Sequence, residues 1–147
     1  MIIMAEDLQI VHGYSIEQYK GIFNNISVDA TKQDYMLLFF NIIQIDNIVT
    51  RYLMLYELLM NVVTIKHTQK EVTAFIKDQF NPVHTTCVGF HPTRRTGKNF
   101  DEDDITYYRN LLAHNDSSAI PQDFDKVLWS MYQALIDVLF FKLDQMP

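Results

Sequence analysis

A single cysteine, Cys87, stands in a chain of 147 residues, and glycine and proline number only four each. One thiol cannot close an intrachain disulfide, so the fold must be held by its core, and a reducing, cytoplasmic compartment is the simplest fit. So few glycines and prolines leave too few turn signals for a sandwich or barrel, which points to helices. Positive charge is also short: 12 Lys and Arg against 18 Asp and Glu give a formal net charge of −6. That argues against a protein that coats nucleic acid through bulk charge, and leaves room for a small basic site on an acidic body. The amino terminus, Met1-Ile2-Ile3-Met4-Ala5-Glu6-Asp7, lacks the basic region of a secretory signal. The apolar run from Met36 to Ile65 has the length of a bilayer span, but Asn41, Gln44, Asp46, Asn47, Arg51, Glu57 and Asn61 interrupt it. Charges at mid-depth are costly in lipid, so a buried core helix and no membrane partner are expected.

What is present is apolar surface: hydrophobic residues make up 48% of the chain and aromatics 13%. That suffices for one domain over residues 1–147 with its own core. Residues 1–14 form an arm without a clear element. Ser15 with Gln18 makes a capping box that opens a helix to about Ile26. From Thr31 or Lys32, the positions Leu37, Leu38, Ile42, Ile45, Val49, Tyr52, Leu55, Tyr56, Leu59 and Val63 recur at steps of three and four. That spacing predicts one spine helix roughly 45 Å long, with Asp46-Asn47 as the place for a kink or break. Thr68-Gln69-Lys70-Glu71 is a second capping box, opening a helix that Asn81-Pro82 ends. Residues 81–100 read as a long loop rich in His84, His91, Arg94, Arg95 and Lys98. Asp101 is the expected N-cap of a helix running to His114, and Pro121 or Asp123 begins a final helix. The expected fold is all-α, an up-down bundle of about five helices with a long basic loop before the fourth.

Chemistry concentrates in Arg109-Asn110-Leu111-Leu112-Ala113-His114. Cleaving RNA through its own 2′-hydroxyl needs a proton taken from that hydroxyl, a proton given to the leaving 5′-oxygen, and stabilisation of the charge growing on phosphorus. Histidine is the side chain that changes charge near neutral pH, so His114 suits proton transfer. Arg109 is a permanent cation whose fork matches two phosphate oxygens. Asn110 lies four residues before His114, on the same helix face, where its amide would hold an imidazole nitrogen. Arg109 and His114 are five apart, about 140° around an ideal helix, so either the arginine reaches around or the helix ends between them. One histidine cannot be base and acid in the same transition state, and two copies at a two-fold interface would supply both.

This hexapeptide resembles the motif of the HEPN superfamily, small all-α domains named from higher eukaryotes and prokaryotes. Their hallmark is an arginine, four to six residues and a histidine, often with Asn, Asp or His directly after the arginine. The segment Thr50-Arg51-Tyr52-Leu53-Met54-Leu55-Tyr56-Glu57-Leu58-Leu59 is similar to the early long helix of such domains, and the likeness covers about residues 32–145. It implies a metal-independent endoribonuclease that cuts single-stranded RNA to 2′,3′-cyclic phosphate and 5′-hydroxyl ends at a site shared by a homodimer, without a cofactor. Toxin–antitoxin and antiviral defence are the settings it implies, with an antitoxin or effector protein as a further partner. Carried over, His114 transfers the proton, Arg109 clamps phosphate and Asn110 orients. Some toxin members place a tyrosine two residues past the histidine. Asp116 stands there instead, so regulation by nucleotide transfer to that tyrosine is not implied.

Around the motif several residues carry two readings. Arg94, Arg95 and Lys98 grip RNA phosphates or form a solvated loop, and the segment lacks the spaced glycines of a nucleotide P-loop. Glu57, on an apolar helix, needs a partner, either Arg51 or Arg109 across the bundle. Tyr107 is open to stacking on a base while Tyr108 faces the core. Asp116 approaches the histidine or acts as a turn residue. His84, Cys87 and His91 fall short of a zinc signature, and no metal is expected. His12 and His67 look incidental. Phe39-Phe40 and Phe140-Phe141 offer more apolar surface than one core uses, which suits a dimer interface. The rival to catalysis is a regulatory module that binds a nucleotide, RNA or a protein partner without cutting; a third reading is a structural helical domain of a longer chain.

Overall fold

A computed structural model of the chain describes residues 30–95, 98–114 and 124–147. The arm at 1–14, the helix expected from Ser15, and Asp116 lie outside the described residues. The described elements are α1 (Lys32–Ile43), α2 (Ile48–Val63), α3 (Gln69–Phe75, prolonged by a π turn over Ile76–Phe80), β1 (Phe90–Arg95), β2 (Lys98–Asp103), α4 (Asp104–His114) and α5 (Phe124–Asp144). The protein is mostly helical with one small antiparallel sheet.

Two expectations change. The spine is not one helix but two, α1 and α2, broken at the Asp46-Asn47 site. Asn47 causes the break: its backbone is extended and its side chain accepts from the Thr50 amide at 3.0 Å, which starts a new helix. Arg51 then holds the end of α1, donating through Nε to the Ile45 carbonyl at 2.7 Å and through a terminal nitrogen to the Asp46 carbonyl at 3.4 Å. The turn also sinks Ile45 fully into the core, which a straight helix would not need to do.

The second change lies in the basic stretch. It is a β-hairpin and not an irregular loop, with Phe90 opposite Asp103, Pro92 opposite Asp101 and Arg95 opposite Lys98. A proline is tolerated because a two-stranded ribbon leaves one side of each strand without a ladder partner. As a result Asp101 is a strand residue, not a helix cap. Asp103 takes that position, accepting from the Thr106 amide at 2.8 Å.

The capping box expected at Thr68 and Glu71 forms, the one at Ser15 lies outside the described residues, and α1 opens on a further box, Thr31 with Asp34. Asn81-Pro82 ends the third helix, and the Asn81 side chain pins the following turn by pairing with both backbone groups of Val88, at 2.9 and 2.8 Å. Helix α2 is the centre of the molecule. Val49, Tyr52, Leu55, Tyr56 and Leu59 are fully buried, and α2 packs against α1, α3, α4 and α5. No helix among the described residues is long and apolar enough to cross a membrane.

Replacing Asn47 with alanine removes the cap that starts the central helix and should lower unfolding free energy by about 1 kcal/mol, whereas Asn47→Ser should retain most of it. Equilibrium urea unfolding checks this; identical midpoints for Asn47→Ala and the parent would show that the cap carries no load.

Candidate functional site

The base of the hairpin delivers two carboxylates into the protein. Glu102 and Asp103 are 3% and 0% exposed, and buried charges need donors. Asp103 accepts from the hydroxyls of Thr73 on α3 at 2.6 Å and Thr106 on α4 at 2.7 Å, besides the Thr106 amide. The Thr106 hydroxyl in turn meets the Tyr56 hydroxyl of α2 at 2.8 Å. One carboxylate thus joins α2, α3, α4 and β2. Burial pushes the Asp103 carboxyl above the usual carboxylate range, and the bonds from Thr73 and Thr106 offset only part of that rise.

Glu102 accepts from the Asn110 amide nitrogen at 2.8 Å. Asn110 also makes a reciprocal amide pair with Gln69 at the start of α3, at 2.9 and 3.0 Å. Its oxygen takes a further bond from an Arg109 terminal nitrogen at 3.1 Å. Asn110 is 7% exposed with both donor hydrogens and its oxygen engaged. In this arrangement its donors and its oxygen are all spent on groups other than His114. Its observed role is to lock α4 to α3 and to the hairpin.

Arg109 is the charged centre. Its guanidinium lies over the Tyr56 ring, 5.7 Å from the centroid, and meets Glu57 of α2 at 3.4 Å. Between the two partners expected for Glu57, the structure selects Arg109; Arg51 is spent on the end of α1 and on the Tyr132 ring. The Arg109 side chain is 23% exposed, yet its Nε–H is buried and has no hydrogen-bond partner among the described residues. Such an orphaned donor costs roughly 1–3 kcal/mol.

Sequence reasoning missed His67. It stands 3.4 Å from the second Glu57 oxygen, so an imidazole and a guanidinium flank one carboxylate. Its φ is 55°, in the left-handed region that costs a residue with a Cβ roughly 1 kcal/mol or more. The loop is held in that shape by Glu71, whose carboxylate accepts from the amides of Ile65, Lys66 and Thr68 and from the Thr68 hydroxyl. Burial pushes the Glu71 carboxyl up, but those bonds together outweigh it and hold it below the ordinary range. The only sequence signal was the capping box next door, which gave no hint of the backbone to its left.

His114 ends α4, is exposed, and makes no hydrogen bond to a described residue. The structure therefore brings Arg109 together with Glu57 and Asn110, and leaves His114 one turn beyond Asn110 on the same face, about 6 Å along the axis. Tyr107 has one face covered by the parallel His91 ring at 4.2 Å, and His91 also pairs with Asp104. Tyr108 packs against the core. Arg94, Arg95 and Lys98 sit at the outer end of the hairpin, where the Lys98 backbone is about 17 Å along the strand from Asp103. A cleft of about 480 Å³ opens elsewhere, between α3 and the hairpin, lined by Lys70, Thr73, Lys77, Phe90, Phe100 and Asp101 among others; neither Arg109 nor His114 lines it. Among the described residues no three His, Cys, Asp or Glu side chains gather as a metal site. Comparison with family models, with curated proteins and with solved structures finds no match in any of the three.

Asp103 gives a pH signature. Its folded pKa lies above the unfolded one, so its contribution to stability is full below the ordinary carboxylate range and is lost as pH rises through the raised value. Relative to Asp103→Asn, the parent should therefore lose unfolding free energy across that acid interval and then stay level. Asp103→Ala, which strands the Thr73 and Thr106 donors, should cost roughly 2–4 kcal/mol. Urea unfolding at a series of pH values measures both, and a parent–variant difference that does not vary with pH would remove the assignment.

Proposed function

We propose that this chain is a HEPN-like, metal-independent endoribonuclease of single-stranded RNA, acting as a toxin or defence effector. The observation that carries the reading is Arg109: a half-buried arginine whose Nε–H has no partner among the described residues, on the same short helix as the exposed histidine that ends it. Its link to Glu57 is long, at 3.4 Å. A phosphate competing for the exposed part of the guanidinium would give it a charge-assisted partner in place of the long Glu57 contact. His114, exposed at the last position of α4, would meet the ribose or the leaving oxygen. The attack of the 2′-oxygen on phosphorus then yields the cyclic phosphate and releases a 5′-hydroxyl, with the growing charge stabilised by Arg109.

A two-fold dimer fits the same chemistry, since it brings a second His114 to the phosphate. Exposed Leu37 and Phe40, on one face of α1 at 57% and 50%, are surface such an interface would use. Arg94, Arg95 and Lys98 would hold RNA several nucleotides from the scissile bond.

A second reading is a module that binds RNA, a nucleotide or a protein partner without cutting. The saturated bonding of Asn110 and the Glu57 contact to Arg109 favour it, because both make the arginine part of a structural network.

Purified protein should cut single-stranded RNA in the presence of EDTA and leave cyclic-phosphate ends. His114→Ala should lose at least about 100-fold in rate while melting at the parent's temperature, because the side chain is exposed. Full cleavage by that variant would sink the catalytic reading, and retention of RNA without any product would select the binding module.

A further inference from the structure

His67 is a half-exposed imidazole held against Glu57 in a backbone conformation it would not choose by itself. Its Nε2 lies 3.4 Å from one Glu57 oxygen, while the other oxygen meets Arg109 at the same distance. Its Nδ1 makes no hydrogen bond to any described residue. A carboxylate behind one imidazole nitrogen fixes the ring and stabilises the cation that forms when the other nitrogen takes a proton. The carboxylate that does this here is also the one that positions the phosphate-binding arginine.

Placement agrees. Gln69, two residues after His67, is paired with Asn110, and His114 is one helical turn past Asn110, about 6 Å. The chain segments that carry the two imidazoles therefore meet at the Gln69–Asn110 contact, His67 two residues before Gln69 and His114 one turn after Asn110. Apo distances of this kind commonly shorten when substrate is bound. The charged groups that face His67 or sit beside it are Glu57 from α2, Arg109 from α4, and Lys66 and Glu71 of its own loop and helix. Of these, Glu71 is occupied by the amides that shape that loop.

We infer that His67 is the proton acceptor of the site, oriented by Glu57, and that it works with His114 as proton donor within one subunit. This rests on the ribonuclease reading above and changes its stoichiometry, since base and acid no longer have to be two copies of one histidine. The step balances. The 2′-hydroxyl proton passes to His67 Nδ1 as the O2′–P bond forms, and the P–O5′ bond breaks as its oxygen takes a proton from His114. The ring that gained a proton and the ring that lost one then exchange them with water. Glu57 is a positioning residue and Arg109 holds the non-bridging oxygens.

A substrate with sulfur in place of the bridging 5′-oxygen separates the two roles, because a thiolate leaves without a proton. On ordinary RNA, His67→Ala and His114→Ala should each lose about 100-fold or more. On the sulfur-bridged RNA, His114→Ala should recover most of the parent rate and His67→Ala should not. The parent's rate should fall at low pH, that acid limb should vanish in His67→Ala, and added imidazole should restore part of its activity. Glu57→Gln should lower the rate, and should lower it by a smaller factor in the His67→Ala protein, where only its contact to Arg109 remains to be lost. His67→Ala with the parent's rate and pH profile, or equal recovery of both histidine variants on the sulfur substrate, would overturn the inference while leaving the nuclease reading intact. A parent that never cuts RNA would instead overturn the nuclease reading, and this inference with it.

Discussion

A carboxylate withdrawn from water has to be met by donors, and two adjacent ones at the base of the hairpin impose that demand on three helices at once. Asp103 recruits Thr73 and Thr106, and through Thr106 it reaches Tyr56; Glu102 recruits Asn110, and through it Gln69. The apolar core around α2 supplies the driving force for collapse. Dispersion and hydrophobic burial are not directional, however, and would accept α4 at many rotations. The polar network accepts one. It fixes which side of α4 turns inward, and so where Arg109 and His114 emerge.

That network explains why the fold was legible in some places and not in others. The helix start at Thr31, the capping box at Thr68 and the stop at Asn81-Pro82 were readable because such signals act locally, over a few residues. The break at Asn47 was visible as a weak point, but its outcome depended on Arg51 reaching back to the end of α1. The hairpin was hidden because Pro92 and a run of charges conceal the alternation of a strand. Asp101-Glu102-Asp103-Asp104 looked like an acidic helix start, and only the last of the four belongs to the helix. The site was legible as residue types on one helix. Its partners were not, because Glu57, His67 and Gln69 are brought to Arg109 and Asn110 by packing between elements some 40 to 50 positions apart.

Arg109 sits at the meeting point of several kinds of contact. Its guanidinium covers the Tyr56 ring, faces Glu57 and touches Asn110, yet one nitrogen stays buried and unanswered among the described residues. Networks that are complete tend to be inert, as Asn110 is; a network with one member under-satisfied retains a reason to accept a new partner. Glu57, flanked by an arginine and a histidine, ties the α4 side of this network to the loop before α3.

Strand β2 passes into α4 between Asp103 and Asp104 with no intervening residue. The two ends of the hairpin therefore have unequal freedom. Adding a matched pair of residues at the outer end would extend the ribbon without shifting Glu102 or Asp103. Adding one at the junction would turn alternate side chains to the opposite face and point both carboxylates away from their donors. The outer end is accordingly where a reporter or affinity tag could be spliced into this protein, and the reach of the ribbon is a dimension that can be lengthened or trimmed while the helices beneath it keep their arrangement.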